Sequence, residues 1–228
     1  MIVAIHQPNY VPWLGYFYKI CHCDVFVFLD NVPYSRNSLV NRNRIKTPQG
    51  LAWLTVGVLT KGHYAQAISE VEVNNSVDWR KTHWRTISQN YSKTPHFKEY
   101  ASLFETVYAR EWRRLIDLNE TLIQLISKLL GTNTVMFVNS SALKTTGTRS
   151  DLLVNICKAV GADTYLSGFG GRKYLDESGF QEAGVRLVYS DFEHPVYGQL
   201  WGEFVPNLSI IDLLFNEGER SRSVLEKA

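Results

Sequence analysis

The sequence predicts an α/β domain of three layers, built on a mostly parallel sheet and carrying a helical insertion. Three observations predict it. Apolar runs of strand length recur at Ile2–Ile5, Val25–Leu29, Thr134–Val138, Thr164–Gly168 and Val185–Asp191. Most of them are separated by segments with helical spacing, the pattern of parallel strands joined by crossovers. The stretch from Asp78 to about Gly131 holds helical spacing alone and interrupts this alternation once. The expectation is a single domain over residues 1–228, with the insertion at about 78–131.

The chain opens on the apolar run Ile2–Ile5, followed by a polar loop from His6, a short aromatic helix from about Pro12, and the second run Val25–Leu29. This is the outline of a parallel βαβ unit. His6, Gln7 and Asn9 then fall just beyond the C-terminal end of the first strand, and Asp30 just beyond the second. Ligands bind at that edge in open α/β sheets. The stretch from Asn31 to Gly50 is too rich in Asn, Arg and Pro to predict a regular core element. Leu51–Val58 is apolar and β-prone and predicts a strand after a turn at Pro48-Gln49-Gly50.

In the insertion, Trp84, Ile87 and Tyr91 share one helical face, and Phe97, Tyr100, Phe104 and Tyr108 another. Leu115, Leu118, Leu122, Ile126 and Leu129 continue the spacing to a stop at Gly131. Beyond the third strand, Arg149–Val160 predicts a helix ending at Gly161, Tyr174–Ala183 a second, and Ser209–Phe215 a last one with Ser209 as N-cap.

Composition bounds the function. The 45% hydrophobic and 20% charged content is that of an ordinary globular chain, and a net charge of +2 gives no pull toward a polyanion. Three cysteines and no secretory leader predict a reducing, cytoplasmic setting. No apolar run reaches the roughly 18 residues of a membrane span. Trp79, Arg80, Lys81, Trp84, Arg85, Lys93, Phe97 and Lys98 mix basic and aromatic residues, as single-strand binders do. Their helical spacing makes the aromatics core residues instead, so nucleic acid is disfavoured. Cys21-His22-Cys23 invites a metal reading, but neighbours on a helix point in different directions and no second pair stands at finger-like spacing. No metal site is predicted.

His6 is the strongest catalytic candidate, since a neutral imidazole at a strand end can exchange protons near neutral pH. The competing reading is a histidine that fixes its loop by bonding backbone carbonyls. Gln7 and Asn9 suit a sugar or base edge. Asn41, Arg42, Asn43, Arg44 and Lys46 place three cations at period two, on one side of an extended segment, fit for phosphate or carboxylate. The two asparagines, poor strand residues, weigh toward a ligand role and against a solvated edge. Gly168-Phe169-Gly170-Gly171 follows a predicted strand and could bring backbone amides to an anion. Thr148 fits a helix N-cap. Asp191 and His194 follow the last strand, with Tyr197 and Gln199 close behind.

These blocks resemble a known family. HQPNYVPWLGYFYKI, DVFVFLDNVPYSRNSLVNRNRIK and GLAWLTVGV look like the N-terminal signature of the WbqC-like family, and TGTRSDLLVNICKAVGADTYLSGFGGRKYLD and FEHPVYGQLWGEFVPNLSIIDLLFNEG like its later blocks. The resemblance spans nearly the whole chain. It implies site positions at His6, Gln7, Pro8, Gly15, Tyr16, Asp30, Asn41, Arg42 and Lys46, then Arg149, Ser167, Gly168, Gly171 and Tyr174. His194, Pro195, Tyr197, Gln199, Pro206, Ser209 and Asp212 close the set. The chain departs from the pattern at Val32-Pro33 and Phe169. A fainter likeness, P-x-x-G-Y opening the first helix, points to nucleotidyltransferases without the H-x-G-H histidines that carry their chemistry. A Rossmann-like or nucleotidyltransferase-like fold is therefore implied, and the direct nucleotidyl-transfer mechanism is not.

The resemblance implies an enzyme of O-antigen or other surface-polysaccharide biosynthesis, of transferase type, working on a nucleotide-linked sugar or its derivative. In it His6, His194 and Asp30 are catalytic candidates. Gln7, Asn9, Tyr16, Asn41, Arg42, Arg44, Lys46, Arg149, Ser167, Gly168, Gly170, Gly171, Tyr197 and Gln199 bind substrate or anion. The alternative is a non-catalytic binding or scaffold protein of the same pathway. The expected partner is a small-molecule substrate, a nucleotide-sugar foremost; a homo-oligomer is compatible, and cofactor need is left open. His6, Asn41–Lys46 and His194 are expected to face one another across a single cleft.

Overall fold

The computed structural model of the chain describes residues 1–62 and 65–228. In chain order the strands and helices are β1 (Ile2–His6), α1 (Leu14–Cys21), β2 (Val25–Phe28), β3 (Arg42–Thr47), β4 (Gly50–Thr55), β5 (Val58–Leu59) and β6 (Glu72–Val73). Then come α2 (Trp79–Tyr91), α3 (Phe97–Ala109), α4 (Leu115–Leu129), β7 (Met136–Asn139), α5 (Arg149–Ala159), β8 (Thr164–Ser167), α6 (Glu177–Glu182), β9 (Arg186–Tyr189), α7 (Ile210–Glu217) and α8 (Ser221–Glu226).

Five strands form the central sheet in the order β7-β2-β1-β8-β9, and all four pairings are parallel. Numbered by their succession within this sheet, the order is 3-2-1-4-5, so the direction of winding reverses between β1 and β8. The strand period of two sorts the side chains into two layers. Val3, Ile5, Val25, Val27 and Tyr165 pack with Leu152, Ile156 and Phe180 from α5 and α6. Ala4, Phe26, Phe28 and Leu166 face the other way, into a larger core shared with α1, α7, α8 and the α2–α4 helices. Each helix is held by the spacing that predicts it: Ile87 and Tyr91, Phe104, and Leu115, Leu118, Leu122 and Ile126 are all fully buried. Trp84 stacks on Phe97 and Tyr108, which accounts for the aromatic residues among the basic ones.

Four expectations need correction. The polar stretch before Gly50 contains a regular six-residue strand, β3, paired antiparallel with β4 from Arg42↔Thr55 to Thr47↔Gly50. Asn41, just before it, and Asn43 within it are buried with their amides bonded to backbone carbonyls: Asn41 donates to Val56 O, its Oδ1 finding no partner among the described residues, and Asn43 donates to Val11 O. The apolar run Leu51–Val58 is not one strand. It breaks at Val56, whose N–H bonds Asn41 O, and Val58–Leu59 then pairs with Glu72–Val73. The helix expected from Tyr174 starts at Glu177, where the Asp176 carboxylate caps it by accepting from Ser178 N; residues 169–173 form a tighter 3₁₀ turn. The C-terminal helix α8 was not expected. Ser209 does cap α7, accepting from Ile211 N, whereas Thr148 stands at the N-cap of α5 without a side-chain bond.

Candidate functional site

Where the winding reverses, the ends of β1 and β8 diverge and leave a cavity of about 450 Å³, a size typical of small-molecule sites. Its floor is Ile5 and Tyr165 from the strands. Its walls are His6, Gly15, Tyr16 and Lys19 on one side and Ser167 with Gly168–Gly171 on the other, closed by Trp13, Tyr174, Ser190 and Phe192. Among the described residues that line it, Lys19 carries the one formal charge, and there is no carboxylate.

His6 ends β1, its ring partly buried. Nδ1 lies 3.0 Å from the Gln7 carbonyl oxygen, so Nδ1 carries the proton and Nε2 keeps a lone pair. Burial, reinforced by the charge of Lys19, lowers its pKa to about 3, and the ring is neutral at physiological pH. Tyr16 sets its tilt: the rings meet edge to face at 4.7 Å, and the Tyr16 hydroxyl donates to the same Gln7 carbonyl. Gly15 is where the Trp13 indole lies flat on α1, and a Cβ there would overlap the ring. Across the cavity Gly171 packs so closely on the Ser167 side chain that a Cβ would strike its hydroxyl. Its N–H closes the turn on Gly168 O at 2.9 Å.

Lys19 was not expected here. It is 4% exposed, one turn beyond Gly15 and Tyr16 on the same face of α1. Burial lowers its pKa to about 8, and among the described residues its ammonium has no hydrogen-bond or ion-pair partner. The signal was present in the sequence: Lys19 is the single charge on the otherwise apolar helix LGYFYKIC.

The other expected site residues lie outside this cavity, so the single cleft uniting His6, Asn41–Lys46 and His194 does not form. Asp30 is a buried clasp between β2 and β7, its carboxylate accepting from Ser140 Oγ, Ser141 N and Ser141 Oγ at 2.6–2.8 Å. Arg42 and Arg44 lie over Trp53, 4.4 and 5.5 Å from its ring centre. Lys46 turns from them into a buried cluster, donating to Gln199 Oε1 at 3.1 Å and to the carbonyls of Gly202 and Glu203. Gln199 also exchanges bonds with the backbone of Val205. Tyr91 joins Lys46 N to Asp212, whose pKa burial raises to about 6. Tyr197 is buried beside them with its hydroxyl unpartnered. His194 has both nitrogens engaged: Nδ1 lies 2.9 Å from Pro195 O and Nε2 accepts from Asn207 N at 3.0 Å. Asn9 is buried, Gln7 contributes its carbonyl, and Arg149 is exposed at the start of α5. The Cys21 and Cys23 thiols are pushed up by burial to about 11 and about 12, and His22 Nδ1 contacts Tyr18 O at 2.7 Å.

Three hydrogen bonds from other segments hold the loop that leads from His6 to Trp13. Val11, β-branched and fully buried, has φ 35°, a costly conformation that persists only where the surroundings dictate it. Asn43 grips its carbonyl at 2.8 Å, Leu39 O accepts from Tyr10 N, and Pro12 O accepts from Ile210 N.

Comparison with known proteins supplies the wider frame. The sequence profile of the WbqC-like protein family matches residues 7–224. The chain is also 40% identical over 225 residues to the uncharacterized protein Rv1507c of Mycobacterium tuberculosis (strain ATCC 25618 / H37Rv), an overlap of 98% of this chain and 96% of that one. No solved structure matches the chain significantly. No helix among the described residues is long and apolar enough to cross a membrane.

Proposed function

This chain belongs to the WbqC-like protein family, and from that premise we propose that it is a cytoplasmic enzyme of O-antigen or other surface-polysaccharide assembly, transferring a group to or from a nucleotide-linked sugar or its derivative. The observation that carries the reading is the cavity at the reversal between β1 and β8, the position at which Rossmann-like sheets bind nucleotides. Its chemistry suits such a ligand. Trp13 and Phe192 offer flat apolar walls for a base or sugar ring, and Ser167 and Ser190 offer hydroxyls.

His6 Nε2 is the hydrogen-bond acceptor and acid/base of this reading. Its basicity is low because burial and Lys19 both oppose a second proton. An anionic group beside Lys19 offsets that charge and raises the basicity of His6 once the ligand is bound. Asp30 and His194 act here by position, Asp30 fixing the ends of β2 and β7 and His194 the loop that follows Phe192.

Two measurements test it. Nucleotide-sugars should raise the melting temperature of the wild-type chain, since a ligand of the folded state stabilises it; no shift with any of them removes the reading. His6→Ala should abolish glycan product while leaving the chain folded. A non-catalytic binding protein of the same pathway is the second reading, favoured by the low basicity of His6. It predicts the thermal shift together with unchanged product in His6→Ala.

A further inference from the structure

We propose that Lys19 is the charge-pairing residue of the cavity, and that the group it pairs with is a phosphate or pyrophosphate of the ligand. The proposal rests on the reading of the cavity above and moves the anion-binding role from Arg42, Arg44 and Lys46 to a residue on α1.

Three observations carry it. The first is burial without a partner: Lys19 is 4% exposed, and among the described residues no ion pair or side-chain hydrogen bond reaches its ammonium. Enclosing a lone cation is costly, and proteins ordinarily provide a counter-ion where they do so. The second is position. Gly15, Tyr16 and Lys19 share the face of α1 that lines the cavity, and no acid lines it to compete. Lys19 therefore lines a chamber whose described walls carry one positive charge and hydroxyl groups, the complement of a multiply charged oxyanion. The third is contrast. Arg42 and Arg44 lie on an exposed indole outside the cavity, and Lys46 spends its donors on Gln199, Gly202 and Glu203.

Titration supports the same picture. With its pKa lowered to about 8, Lys19 is still protonated at neutral pH and loses its charge just above it. Binding of an anion should therefore weaken as pH rises through about 8, beyond any change in the ligand's own charge.

Calorimetric titration of the full chain with inorganic pyrophosphate, uridine diphosphate and uridine tests the assignment. Lys19→Met should weaken the two phosphate-bearing probes about tenfold or more, the worth of one charge-assisted bond in a dry site, and leave uridine unchanged. Arg44→Met should leave all three within about twofold. Pyrophosphate bound as well as uridine diphosphate would make the anion alone sufficient; uridine diphosphate bound more tightly would add the base to the recognition. Equal phosphate affinity in wild type and Lys19→Met overturns the Lys19 assignment and leaves the cavity reading standing. Failure of every probe to bind the wild-type chain overturns both. A readout on the unsubstituted chain guards against misfolding of the variant: in lysine-labelled protein the Lys19 ammonium resonance should shift on adding pyrophosphate. Binding without that shift also overturns the assignment.

Discussion

Two lysines of this chain are buried to nearly the same degree, Lys19 at 4% and Lys46 at 3% exposure, yet they live in opposite surroundings. Lys46 is met by a glutamine oxygen and two backbone carbonyls. Lys19 is met by nothing among the described residues. The histidines repeat the contrast: His194 has both ring nitrogens bound to backbone, whereas His6 binds one and keeps the other. Polar residues of the same kinds thus complete the structure in the hairpin and C-terminal loop and stay uncommitted in the cavity. What separates the two is the presence of a protein partner, which residue type alone does not reveal.

The sharpest way to break this comparison is to remove each ammonium. Lys46→Met should cost about 3 kcal/mol in urea unfolding, because it strands the Gly202 and Glu203 carbonyls beside the Asp212 carboxyl, while Gln199 Oε1 keeps Val205 N. Lys19→Met should leave stability unchanged or raise it by about 1 kcal/mol, because it removes an uncompensated buried charge. Equal losses in the two variants would show that Lys19 has a structural partner after all. Next in size is Gly15→Ala, which forces the Trp13 ring off α1 and should cost about 1–3 kcal/mol through overpacking. A red-shifted tryptophan emission would report the displaced ring, and an unchanged spectrum would show that the cavity wall can yield.

His194→Ala should cost about 1–2 kcal/mol for two lost backbone bonds while leaving ligand affinity at the cavity intact. A binding defect without a stability loss would move His194 into the site. A separate effect is expected on acid stability. His6 has a folded pKa of about 3 against an ordinary 6.5. Between those values the unfolded chain holds a proton that the folded chain does not, so stability rises with pH across this window and falls on acidification. His6→Gln should flatten that part of the profile. His83, lowered by burial to about 4, supplies a similar slope that should remain.

Much of this arrangement was legible in the sequence where periodicity or chain order carries it. The five parallel strands announce themselves as apolar runs, and His6, Gly168, Gly170 and Gly171 fall at strand ends, where ligand edges lie; Ser167 is implied by the family resemblance alone. Tyr16 came with the family blocks. β3 was illegible because its burial is achieved by asparagines bonded to carbonyls 15 and 32 residues away, which no local pattern reports. For the same reason Arg42, Arg44 and Lys46 look like one basic face in extended order, while a tryptophan and a distant loop divide them. Lys19 was missed for the converse reason: a single lysine on an apolar helix passes for a solvated residue until the helix is seen to be covered on every side.

The entry loop has a consequence for the time at which the site comes into being. Its backbone is pinned at Pro12 by Ile210, Trp13 bridges to Ser209, and the Trp13 ring meets Phe192. Residues 12–13 are therefore held by partners made almost 200 residues later in synthesis. At roughly 5–20 residues per second, that delay is on the order of 10–40 seconds. Through this interval the nascent chain holds His6 and Lys19 without the cavity that gives them their properties, and synthesis of residues 192–210 is the step that completes its wall.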